Sequence, residues 1–177
     1  MNRFYKLVQF LPLTIFVLIS RIYGTTDDVW SMAFQIGAVA ACLQILIFIV
    51  SKKSLNRILL GTNLFLILGG VGFYFRFKPI LNIYGTMREA TIFCSLLLVG
   101  IVSTLFTQRG YIDTDKLLDN KVTIKKSSIF LLAITAVSLV ISVLMRGNIW
   151  LSGTLPFIFI LVAKSLLVKK MAKSVYK

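Results

Sequence analysis

The chain has 177 residues, 58% of them hydrophobic, with a mean hydropathy of +0.89 and a formal charge of +14. Soluble domains sit near half apolar, whereas here the apolar residues come in blocks of roughly 20, enough to cross about 30 Å of hydrocarbon. That excludes an ordinary soluble core. It also excludes a nucleic-acid-binding domain, because the cations lie mostly between apolar blocks, where topology and anionic headgroups place them.

The pattern predicts an all-α integral membrane protein, a single domain over 1–177 with six transmembrane helices. The first covers about 4–23, with Lys6 in snorkelling reach and Pro12 near its start. Residues 2–6 and 7–19 resemble the charged and apolar parts of a signal peptide. Ser20-Arg21-Ile22-Tyr23 stands where small residues would mark cleavage, so a retained span is expected.

The second span, 29–50, lies between Asp27-Asp28 and Lys52-Lys53. Ala33, Gly37 and Ala41 recur every fourth residue, a small-residue stripe that lets a neighbouring helix approach closely. The third, 58–75, carries Asn63 inside and Gly69, Gly70 and Gly72 near its end, predicting either close contact or a kink. Phe73, Tyr74, Phe75 and Phe77 follow as an interfacial aromatic belt. Residues 76–87, punctuated by Pro79 and Gly85, are too short and mixed to span. Ile80, Leu81, Ile83 and Tyr84 are expected in the interface.

The fourth span covers 88–106 and leads to a polar cytoplasmic loop, 108–126. Within it, GYIDTDKLLDNK begins like a calcium loop but lacks the fixed glycine and terminal glutamate, so a solvated linker is expected. The fifth span is 127–145. A turn at Arg146-Gly147-Asn148 opens the sixth, 149–168. With both termini inside, fourteen cations fall on inner segments and five on outer ones, with Lys164 left within the last span. That is the positive-inside bias of a chain with cytoplasmic ends.

Ionisable groups within the bilayer are candidate functional residues because burying their charge is costly. Arg21, Arg88, Glu89 and Lys164 qualify. Glu89 is the only acid inside an apolar run and is the natural partner of Arg21, Arg88 or Arg76, either as a helix-fastening ion pair or as a solute or headgroup site. Lys164 lies within snorkelling reach of the cytoplasmic interface. Among the neutral polar residues Gln9, Gln35, Gln44, Asn63, Gln108 and Asn148, Gln35 and Asn63 are expected to line a central seam. The chain has no histidine, and Cys42 and Cys94 stand alone in apolar runs, so neither metal nor cofactor is expected. No nucleophile elbow, phosphate loop or paired-cysteine motif suggests an enzyme.

The order of several short motifs resembles the bacterial intracellular septation protein A family. They are Phe10-Leu11-Pro12, the basic step 51–57, Gly69-Gly70 followed by Phe73 and Phe75, Arg88 opening a span, and Asn148-Ile149-Trp150. The last helix departs from that family, with Leu151-Ser152-Gly153 replacing an Asn-Phe-Lys-like step. The resemblance implies a bacterial inner-membrane protein of envelope upkeep and division, with no catalytic activity. Its expected surroundings are the lipid bilayer, division or wall-synthesis membrane proteins, and a second copy packed through glycine-rich faces. The alternative is a small-solute transporter or channel with a polar seam near Arg88 and Glu89.

Overall fold

In lipid, every backbone polar group must be satisfied within the chain, which leaves helices as one of two spanning solutions. The structure, a computed structural model, describes residues 8–24, 26–52, 55–113 and 121–175, with side chains to 172. Among the described residues all regular structure is helical. The helices are α1 (Leu11–Tyr23), α2 (Asp27–Val50), α3 (Arg57–Tyr74), α4 (Lys78–Met87), α5 (Thr91–Phe106), α6 (Lys121–Leu144) and α7 (Leu155–Val175). A 3₁₀ turn, Arg88–Ala90, precedes α5, and a π-helical turn, Trp150–Thr154, precedes α7.

Among the described residues five segments are long and apolar enough to cross a membrane: Asp27–Val50, Arg57–Tyr74, Lys78–Phe106, Lys121–Leu144 and Trp150–Ala172. The chain is a polytopic membrane protein. The first expected span begins on residues outside those described, and within them α1 is a shorter apolar helix of 13 residues, with Pro12 in its first turn. Burial has the polarity that lipid demands. On α6, Phe130, Val137, Val140 and Leu144 face outward, while Ser128, Thr135, Ser138 and Ser142 are buried.

The chain divides into two compact units, Met1–Thr86 and Met87–Lys177. The first is built around Phe34 of α2, which is fully buried. Its ring lies 4.7 Å from that of Phe16, 5.1 Å from those of Phe65 and Tyr84, 5.4 Å from Phe73 and 5.6 Å from Trp30. The offset and edge-on arrangements among them are ones that aromatic quadrupoles favour.

The small residues serve this packing. Ala33, Gly37 and Ala41 are buried, and a Cβ on Gly37 would come within 3.3 Å of Leu66 and 3.6 Å of Phe16. A Cβ on Gly70 would collide with that of Ala38 and lie 3.0 Å from the Phe34 carbonyl oxygen. One on Gly69 would enter the Phe34 ring. The glycines of α3 therefore give close contact within a helix that continues to Tyr74. The Ala33–Gly37–Ala41 stripe is covered inside its own unit.

Residues 78–87 correct the expected interfacial loop. Pro79 sits in the first turn of α4, where its missing N–H and fixed φ are tolerated. The segment then folds back on α3. Ile80 approaches Gly72, where a Cβ would stand 2.5 Å from Cγ2, and the buried Tyr84 donates its hydroxyl to the Phe65 carbonyl at 2.5 Å. Two rings, those of Phe34 and Phe65, and a helix carbonyl fix Tyr84, which a free surface segment would not provide.

In the second unit, α6 packs against both α5 and α7. The helices at both ends outrun the apolar blocks. α6 starts at Lys121 and α7 continues past Lys169-Lys170, because long cations can reach the interface without ending a helix.

Candidate functional site

The first unit has a short polar chain in a largely apolar interior. Asn63 Nδ2 donates to Gln44 Oε1 at 2.6 Å, and Gln44 Nε2 donates to the Val8 carbonyl at 2.5 Å. Each amide satisfies the next, which fixes α2, α3 and the segment leading into α1 in register. Gln35, expected beside Asn63, instead faces outward and donates to Ser31 one turn away at 3.1 Å. Replacing Asn63 by Leu, Gln44 by Leu, and both together should give a coupling energy of about 0.6–1.7 kcal/mol. Thermal unfolding of the four proteins in detergent measures it; strict additivity would mean the bond contributes nothing.

The second unit differs. The buried face of α6 reads Ile124, Ser128, Leu131, Thr135, Ser138, Ser142, alternating steps of four and three, with hydroxyls at four of the six positions. The facing side of α5 adds Thr91, Ser95 and Ser103, and the π-helical turn adds Ser152. Most such hydroxyls in membrane helices donate to the carbonyl four residues back, as Thr135 does to Leu131 at 2.9 Å. Thr91 Oγ1, Ser138 Oγ and Ser142 Oγ are buried and have no hydrogen-bond partner among the described residues. A buried hydroxyl without a partner costs about 1–3 kcal/mol, so three in one small bundle need a reason.

Glu89 stands at the end of the unit where α6 stops and the π-helical turn begins. It is half-buried, and its Oε2 lies 3.5 Å from Ser152 Oγ. Ser152 has one hydroxyl proton, and the Asn148 carbonyl takes it over the shorter distance of 2.9 Å. At 3.5 Å the same hydroxyl is also within donating range of Glu89 Oε2, so the carboxylate holds only a weak share of that proton. Asn148 holds the turn, its Oδ1 accepting from the Trp150 and Leu151 backbone amides at 3.1 and 3.3 Å. Gly153 leaves room beside the carboxylate: a Cβ there would meet Glu89 Cβ at 3.6 Å. The π geometry widens the helix at this point, as is common at functional sites.

The remaining sequence candidates are not gathered here. Arg88 is exposed and holds a left-handed φ of 48°, so it breaks the helix where Glu89 turns inward. Arg21 lies in the last turn of α1, and Lys164 is half-buried on α7. A hydroxyl, Ser152, occupies the place expected of an arginine beside Glu89. Cys42 and Cys94 are free thiols, and among the described residues no group of three His, Cys, Asp or Glu side chains converges.

Another turn packs into the opposite end of the unit. Residues 107–113, expected in a solvated linker, turn back between the helices, so that Tyr111 and Ile112 are fully buried. The remainder of that linker, 114–120, lies outside the described residues. Gly110 has a φ of 57°, and a Cβ there would strike Ser128 Oγ, so both its conformation and its surroundings require glycine. Ile112 packs with Ile124 and Met171, and its amide donates to Ser128 Oγ at 3.3 Å. The Tyr111 hydroxyl reaches Thr135 Oγ1 at 3.5 Å.

Burial pushes the Tyr111 phenol up to about 12, with the Thr135 contact acting the other way. A phenol whose folded-state value exceeds the ordinary 10.0 stabilises the fold fully below that pH, and the benefit is lost as pH rises to about 12. Tyr111→Phe should therefore remove the last phenolate absorbance step and flatten the loss of stability between pH 10 and 12. An unchanged alkaline titration would contradict this assignment.

Sequence inspection passed over Thr91, Ser138, Ser142 and Ser152, although the three-four spacing of hydroxyls in α6 was there to be read. No family model, no curated protein and no solved structure matches this chain.

Proposed function

We propose that the protein handles a small polar solute within the membrane, through the hydroxyl-lined interior of its second unit. The observation that carries this reading is the set of three buried hydroxyls without partners at Thr91, Ser138 and Ser142, in the unit whose end bears the carboxylate of Glu89. Retaining unsatisfied polar groups where apolar ones would pack is costly, and in membrane helices such groups mark solute and ion pathways. The Tyr111 turn supports the reading further by closing the opposite end, as a path that is open to one side at a time requires. The charge distribution fits a bacterial cytoplasmic membrane, with the Tyr111 end inside.

Proteoliposomes test this by osmotic swelling in stopped-flow light scattering, challenged with glycerol, urea, and sodium and potassium salts. The wild-type protein should admit at least one of these faster than empty vesicles. Glu89→Gln should lower that rate at least tenfold while expression and melting temperature hold. Rates equal to those of empty vesicles, or unaffected by Glu89→Gln, would sink the proposal.

A second reading follows from the order of motifs shared with the septation family: support of division or envelope integrity through membrane partners. The covered Ala33–Gly37–Ala41 stripe bears on where such partners would sit, namely on the outward apolar faces. Crosslinking in native membranes followed by mass spectrometry tests it. Stoichiometric recovery of division or wall-synthesis proteins would support it, and recovery of this chain alone would count against it.

A further inference from the structure

We infer that Glu89, Ser152, Thr91, Ser138 and Ser142 form a binding site for one monovalent cation of the sodium class; the inference rests on the solute-handling reading and names its ligand. These residues come from the start of α5, the end of α6 and the turn before α7, three chain segments that meet at one end of the second unit. What they offer is oxygen. Ser152 Oγ donates to the Asn148 carbonyl at 2.9 Å and toward Glu89 Oε2 at 3.5 Å, which leaves lone pairs on both the hydroxyl and the carboxylate oxygens. Thr91, Ser138 and Ser142 bring hydroxyls that are at least nine-tenths buried and have no hydrogen-bond partner among the described residues. On α6, Ser138 and Ser142 stand one turn apart on its inward face, with Ser142 nearer the Glu89 end.

Charge selects the ion. One carboxylate neutralises one positive charge, whereas a divalent ion would leave a net charge in a medium where an uncompensated charge is expensive. Ligand type selects it again. Carboxylate and hydroxyl oxygens suit hard cations, while softer transition metals want imidazole or thiolate, and no such cluster occurs among the described residues. A bound cation would also explain the unsatisfied hydroxyls, whose oxygens need a positive partner that no protein hydrogen supplies.

The test is equilibrium binding of ²²Na⁺ to the purified full chain in detergent at pH 8, with potassium and lithium as competitors. Wild-type protein should bind one ion per chain saturably. Glu89→Gln should weaken binding at least tenfold. The double variant Ser138→Ala/Ser142→Ala should weaken it at least a hundredfold without lowering the melting temperature in sodium-free buffer, which separates lost ligands from lost fold. Gln44→Leu, in the first unit, should bind as wild type. Absence of saturable ²²Na⁺ binding by the wild type, or wild-type binding by the Glu89 and serine variants, overturns the site. If neutral solutes still enter vesicles in a Glu89-dependent way while ²²Na⁺ does not bind, the cation assignment falls and solute handling stands. If ²²Na⁺ binds as expected but no solute crosses, the site stands and the transport reading falls.

Discussion

Gly70→Ala should destabilise the first unit by about 1–3 kcal/mol, whereas the same change at Gly85 should be neutral or stabilise by up to about 1 kcal/mol. Both glycines lie in helices, so the intrinsic gain in helix propensity is the same. Surroundings decide the sign. At position 70 the new methyl would meet the Ala38 methyl and the Phe34 carbonyl oxygen, and neither can swing aside as the end of a long side chain would. At position 85 there is nothing within 4 Å. Separation of α2 from α3 would also disturb Phe34, whose ring is shared with Phe16, Phe65, Phe73 and Tyr84, so the cost should spread through the unit. Thermal unfolding in one detergent, followed by Trp30 fluorescence in a Trp150→Phe background, compares the two variants directly. Equal effects would mean that α2 and α3 do not approach at Gly70 as described.

What was legible in the sequence follows from the strength of each physical signal. The α2, α3, α5 and α6 spans stand out because a hydrocarbon slab imposes a length of about 20 apolar residues. Helix ends were less visible: Lys121, Lys125 and Lys126 belong to α6, since a charge near the interface does not interrupt backbone bonding. α4 was hidden by Pro79, read as a break although a proline in the first turn is compatible with a helix. The burial of Tyr111 and Ile112 had no periodic signal at all, being a short apolar pair in a polar stretch.

The inward polar residue of α2 could have been found. Ala33, Gly37 and Ala41 define one face, and Gln44, three residues further, continues it, while Gln35 falls nearly opposite. Glu89 was conspicuous as the lone acid in an apolar run. Its hydroxyl neighbours were not, because serine and threonine are close to neutral on transfer scales and commonly serve their own helix. Only the loss of that local bonding at Thr91, Ser138 and Ser142 makes them notable, and that is a property of three-dimensional structure.

Those hydroxyls lead to a prediction whose sign changes with the medium. In sodium-free buffer, Ser138→Ala/Ser142→Ala should be more stable than wild type, by about 1 kcal/mol per site, because each substitution removes a buried hydroxyl without a partner. Alanine is also the better helix former. Sodium should reverse the order. A ligand at a hundred times its dissociation constant stabilises the folded state by about 2.7 kcal/mol, more than the roughly 2 kcal/mol the double variant gains, and the variant binds too weakly to benefit equally. Melting curves with and without sodium, at constant ionic strength held by a bulky organic cation, should therefore cross over. Greater stability of the variant at every sodium concentration would make the hydroxyls costly filler with no ligand. Lower stability in both media would mean that they are already satisfied, and the cation site would lose its physical basis.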